Sequence, residues 1–240
     1  MNTDSKSVTQ RLFFLLGLVS TWQIVQIAGF AASTVVTVLT AGHLLLTREF
    51  VFPKDRILLA LLLTTCLTAV VSLFSDIPIA YKKTALTGAV QWGLLFVLCA
   101  YMLQETGGHT TGWFFRGFDW SCRVQLIWCG ARMLLYYGAE IELNDLVFAK
   151  VLGFSGETGQ YRGGVLACTG LHWHAANLIP VLLYTFFRHR SLLVKVLCVV
   201  IVYFTKNATA MIAVGFSAAL ELFLYVRAVQ KHGRRMKWMR

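Results

Sequence analysis

Between residues 161 and 180 the chain reads YRGGVLACTGLHWHAANLIP, a polar and aromatic cluster at the mouth of an apolar run. Arg162 offers a planar, permanently charged fork that suits a phosphate. Further on, TKNAT (205–209) adds Lys206, a point charge, and Asn207. Together the two cations form a plausible diphosphate clamp. Gly163, Gly164 and Gly170 permit backbone conformations and close approaches that side chains would block, so a loop containing Gly164 could turn amide donors toward phosphate oxygens. A neutral histidine, His172 or His174, can take a proton from an attacking hydroxyl, and Glu157 or Glu140 could do the same. On a helix His174 and Asn177 share a face, whereas His172 lies two residues before His174 and points elsewhere. Only one of the two imidazoles is therefore expected to line a given pocket. Plainer roles stay open: histidine and tryptophan are common interfacial anchors, and an arginine in a loop can simply pair with loop carboxylates.

Other chemistries lack their motifs. No HExxH, GxSxG, P-loop or DxD-like pair occurs, which leaves zinc hydrolysis, serine catalysis, ATP use and a metal-held nucleotide sugar without support. Neither a metal nor a cofactor is implied. The six cysteines fall mostly in apolar runs with no CxxC spacing and read as core thiols.

The elements that must position these residues are set by composition. With 57% hydrophobic and 14% charged residues, the chain carries more apolar surface than a water-soluble domain of 240 residues can bury. The apolar runs are 12–46, 57–74, 85–103, 124–138, 171–187, 191–205 and 208–226. They lack strict alternation, so helices are expected, not barrel strands. The first run has 35 residues, about 50 Å as one helix, and exceeds a hydrocarbon core of roughly 30 Å. It is read as two short helices turning near Gly29 and Ser33, with Gln23 and Gln26 packed against other helices. Residues 104–123 read as an aromatic interfacial belt. Run 124–138 is short and contains Arg132, which either snorkels to the interface or belongs to a functional site as a substrate-binding residue.

The expected fold is thus an all-α polytopic transmembrane bundle of about eight helices, one membrane domain over 1–240. Residues 139–170 are its long outer loop and 227–240 a basic tail. Placing both termini in the cytoplasm puts sixteen of the 22 Lys and Arg inside and five outside, with Arg132 in a crossing, as the positive-inside rule requires. The net charge of +11 therefore reports orientation, and no nucleic-acid partner is implied. Stretch 161–177 and Lys206 then share the outer face.

YRGGVLACTGLHWHAANLIP, followed by FTKNATAMIAV (204–214), resembles the O-antigen polymerase and ligase superfamily, within it the bacterial polymerases of capsular or exopolysaccharide repeat units. The shared pattern is an arginine and glycine, then a proline- or alanine-asparagine pair opening a helix, then a Ser/Asn-Arg/Thr hairpin. Here Ala175-Ala176-Asn177 replaces proline-asparagine, and Lys206 stands in the usual arginine region. The resemblance implies an enzyme of the bacterial cytoplasmic membrane that polymerises polyprenyl-diphosphate-linked repeat units into surface polysaccharide. Its partners would be the lipid-linked oligosaccharide, the bilayer and other polysaccharide-assembly membrane proteins. By the same resemblance Arg162 binds the diphosphate or an acidic sugar of the lipid-linked glycan, Lys206 aids the same anion, and His172 or His174 assists the acceptor hydroxyl. Family members are generally longer, so a truncated product or one half of a split enzyme is expected. The rivals are a transporter or flippase of a lipid-linked glycan and a non-catalytic subunit or inactive remnant.

Overall fold

The computed structural model describes residues 3–27, 30–76, 78–105, 108–152, 160–162, 165–172, 175–206 and 208–237. The chain divides into two compact units, Met1–Arg123 and Val124–Arg240. The first contains helices α1 (Thr3–Val19), α2 (Ala32–Leu46), α3 (Arg56–Phe74) and α4 (Ile79–Gln104). A short hairpin of β1 (Gln26–Ile27) and β2 (Phe30–Ala31) joins α1 to α2. Helix α5 (His109–Ala139) starts in the first unit and ends in the second. There follow a π-helical segment (Asp145–Val151), strands β3 (Gln160–Arg162) and β4 (Val165–Ala167), and helices α6 (Ala175–Arg188), α7 (Leu192–Phe204) and α8 (Ala208–Lys237). The described chain is mostly helical, as the lack of alternation predicts.

In the first unit α1 and α2 bury Phe13, Leu16, Val36 and Leu44 against Leu98 of α4. Two polar pairs link segments of this unit: Thr9 Oγ1 lies 3.0 Å from His43 Nε2, and the Thr21 and Ser121 hydroxyls meet at 2.5 Å. Two glycines set how closely α1 and α5 approach. A Cβ at Gly17 would collide with the Phe114 carbonyl, and one at Gly117 with the Phe14 carbonyl. The two backbones touch at a crossing that only glycine on each helix permits.

α3 shows what solvent the chain is suited to. An 18-residue window of this helix has a mean hydropathy of 2.5, and none of its 19 residues is buried. Leu63, Leu67, Val71 and Phe74 are 61%, 63%, 59% and 85% exposed. A core helix of a water-soluble protein is apolar because it is covered, and this one is uncovered. Its few polar groups turn inward: the hydroxyls of Thr64, Thr65, Thr68 and Ser72 each donate to the carbonyl four residues earlier. Asp55 caps the helix, accepting from the amides of Ile57 and Leu58 at 2.9 and 3.1 Å. α4 packs against α3. Among the described residues α3 and the segment Ala85–Gln104 of α4 are long and apolar enough to cross a membrane. Ala32–Leu46, Leu192–Phe204 and Met211–Leu224 are apolar but shorter; 15 residues reach about 22 Å, short of the hydrocarbon thickness.

Several expected boundaries are corrected. Gln23 and Gln26 leave the first helix, because α1 ends at Val19; Gln26 sits in β1 and Ser33 in α2, while Gly29 lies outside the described residues. The expected belt at 104–123 and the run 124–138 are not separate segments: residues 109–123 form the first half of the 31-residue α5, and 124–138 its second half. Residues 139–170 are not a plain loop, since they hold the π-helical segment and the β3–β4 hairpin.

Candidate functional site

The second unit is built around a stripe of α5. Gln125, Trp128, Cys129 and Arg132 recur at helical spacing on one face, and three of them bind the turn at 168–172 or the segment before the π-helix. Gln125 Oε1 accepts from the Leu171 amide at 2.9 Å. Trp128 Nε1 donates to Asn144 Oδ1 at 2.8 Å, and Asn144 Nδ2 donates to the Gly170 carbonyl at 3.2 Å. Arg132 Nε donates to Glu142 Oε1 at 2.6 Å, and its Nη1 donates to Thr169 Oγ1 at 2.5 Å. Glu142 Oε1 also accepts from the Asn144 amide at 3.1 Å. Arg132 does not snorkel: it is fully buried, and the Glu142 side chain is 8% exposed.

Gly170 is the pivot of the turn. Its φ is +58°, and a Cβ there would collide with Gln125 Oε1. The turn is entered from β4, whose Leu166 and Ala167 are fully buried, and it leads into α6. In the hairpin Gln160 pairs with Ala167, Tyr161 with Leu166 and Arg162 with Val165. The Arg162 backbone thus belongs to the pair farthest from the turn.

Four buried atoms of this network have no hydrogen-bonding partner: Arg132 Nη2, Glu142 Oε2 and both ring nitrogens of His172. Each such orphan costs about 1–3 kcal/mol unless water or a ligand reaches it. His172 precedes α6 and is 3% exposed; burial pushes its imidazole down to about 4. At neutral pH it is an uncharged and weak proton acceptor.

The turn also meets the end of α7. The Cys168 amide donates to the Phe204 carbonyl at 2.8 Å. Lys206, two residues on, adopts φ +50° and holds its Nζ 4.3 Å from the Tyr203 ring centroid and 5.7 Å from that of Phe204. The Phe204 side lines an apolar cleft of about 560 Å³, together with Met133 and Tyr137 of α5 and Val200 of α7.

Of the residues singled out in the sequence, His172, Arg132 and Lys206 are therefore brought to one region of the second unit. Asn177 is exposed on the first turn of α6, and Arg162 is placed by its backbone alone. His174, Glu157, Gly164 and Asn207 lie outside the described residues. Sequence reasoning left Gln125, Trp128, Asn144, Glu142 and Thr169 without a role. The available signal was Arg132 itself: an arginine inside an apolar run requires a buried acceptor, and Glu142 lies just beyond the helix end. Among the described residues no group of His, Cys, Asp and Glu is arranged to hold a metal ion. No protein-family model, no curated protein and no solved structure matches the chain.

Proposed function

We propose that the chain is a multi-pass protein of the bacterial cytoplasmic membrane that joins polyprenyl-diphosphate-linked oligosaccharide repeat units on the outer face. The observation that carries this reading is what converges at Phe204: an apolar cleft along its side chain, the polar 168–172 turn at its carbonyl, and the Lys206 cation just after it. A substrate with a long hydrocarbon chain, an anionic head and a sugar needs an apolar, a cationic and a hydrogen-bonding surface in succession. The uncovered apolar surface of α3 supports the membrane setting.

In the proposed reaction an acceptor hydroxyl oxygen attacks the anomeric carbon of the donor glycan, and the bond from that carbon to the diphosphate oxygen breaks. The diphosphate leaves with the electron pair, its charge held by Arg162 and Lys206, with Gly164, Asn177 and Asn207 contributing hydrogen bonds. The hydroxyl proton passes to an imidazole, His172 or His174, or to the Glu157 carboxylate. Arg132, with Nε and Nη1 engaged, fixes the turn that carries His172, and its Nη2 is left to meet the substrate. A second reading, a non-catalytic subunit, is favoured by the depth of His172, which a reactant reaches only if the turn opens.

Arg162→Ala separates the two. Expressed in cells lacking the wild-type chain, it should lower polymer about 100-fold or more while single lipid-linked repeat units persist. Ordinary polymer levels in that variant would contradict the enzymatic reading.

A further inference from the structure

The first half of α5, in the first unit, carries a second arrangement that the proposed reaction does not use. The sequence WFFRGFDWSCR contains Trp-x-x-Arg twice, seven residues apart. Both pairs form in the structure: Arg116 Cζ stands 5.1 Å from the Trp113 ring centroid, and Arg123 Cζ stands 5.2 Å from that of Trp120. Seven residues is almost two helical turns, so the modules repeat along one side of the helix about 10 Å apart. Phe14 of α1 meets Trp113 edge-on at 6.3 Å and steadies the first ring. These residues and Asp119 line one cleft of about 290 Å³, which a smaller one of about 180 Å³ adjoins at Trp113 and Arg116 toward His109. Arg116, Trp120 and Arg123 are exposed.

We infer that this face seats the headgroup of an anionic membrane phospholipid. An indole beneath each guanidinium carbon holds the cation by cation–π attraction and leaves N–H groups to meet a planar or tetrahedral oxyanion. Two arginines against one aspartate give the cleft a positive balance that complements a phosphate diester. Its volume is that of about ten waters, the scale of a headgroup and too small for a folded partner. The walls match the rest of such a lipid: indole rings sit at headgroup depth, and Phe115 and Trp120, 46% and 54% exposed, offer apolar surface for the upper acyl chain. Free phosphate would use the arginines but not these rings. An aromatic belt of this kind, running from Trp113 to Trp120, belongs to the headgroup layer. With both termini in the cytoplasm, as expected from the sequence, that layer would be the cytoplasmic leaflet's.

The test uses the full chain purified in a neutral detergent and titrated with phosphatidylglycerol, phosphatidylcholine or inorganic phosphate while thermal unfolding is followed. Phosphatidylglycerol should raise Tm and co-purify with the protein, and the other two should not. An Arg116→Gln/Arg123→Gln variant should need about thirtyfold more phosphatidylglycerol for the same rise, with its Tm in phosphatidylcholine unchanged. Trp120→Leu, at an exposed position, provides a variant whose folding is not in question and should also weaken the response. Equal responses to phosphatidylglycerol and phosphatidylcholine, an undiminished response in both variants, or an equal response to inorganic phosphate would each overturn the inference.

Discussion

At Arg132 a permanently charged side chain is completely buried and held by one carboxylate at Nε and one hydroxyl at Nη1, while its Nη2 has no hydrogen-bonding partner. Such a pair is a demanding arrangement, because both ions are stripped of water and each depends on the other. Arg132→Met should therefore destabilise the protein by about 3–5 kcal/mol, since it strands the Glu142 carboxylate in a dry site. Arg132→Met/Glu142→Leu should recover most of that loss, and thermal unfolding of the purified chain reads both. If the double variant were as unstable as the single one, the pair would not be the element that Glu142 depends on. At this scale the sequence was half informative. It marked Arg132 as unusual, and it marked residues 168–172 as polar, but pairing between them depends on how α5 and the turn pack. No spacing rule links residue 132 to residue 169. His172 shows the same limit: its type advertised proton chemistry, yet its depth, which sets its weak basicity, comes from the tertiary structure.

At the scale of elements, α5 is where expectation and structure differ most. Residues 104–123 read as an interfacial belt outside the apolar runs, because glycine, aromatic and charged residues mix there without an apolar stripe. The structure gives each a separate reason to be helical: Gly117 admits α1, Trp113 and Trp120 carry the arginines, and Ser121 pairs with Thr21. Gly117→Ala should thus cost about 1–3 kcal/mol, because the added methyl must displace the α1 backbone at Phe14. The same change at Gly42 in α2, where a Cβ meets nothing within 4 Å, should be neutral or stabilise by up to about 1 kcal/mol. Comparing the two melting temperatures checks the close approach, and equal effects would contradict it. α3, by contrast, was legible from its run to within a residue, and α4 at its C-terminal end, although α4 begins at Ile79, six residues before the apolar run, because composition commits a long apolar segment to a helix without marking where its polar first turns start. The β3–β4 hairpin was not, since three-residue strands carry no periodicity to read.

For the whole molecule, the uncovered apolar surface of α3 points to a membrane as its solvent. The proposed enzyme follows from setting the Phe204 convergence in that solvent: hydrocarbon chain, anion and sugar would meet there at a membrane face. The most direct measurement is transfer by the purified chain in liposomes, supplied only with lipid-diphosphate-linked repeat units and an excess of EDTA. The proposal predicts a ladder of longer glycans, release of one polyprenyl diphosphate per added unit, and loss of both in Arg162→Ala. Absence of a ladder from the wild-type chain, or a ladder that requires a divalent cation, would contradict it.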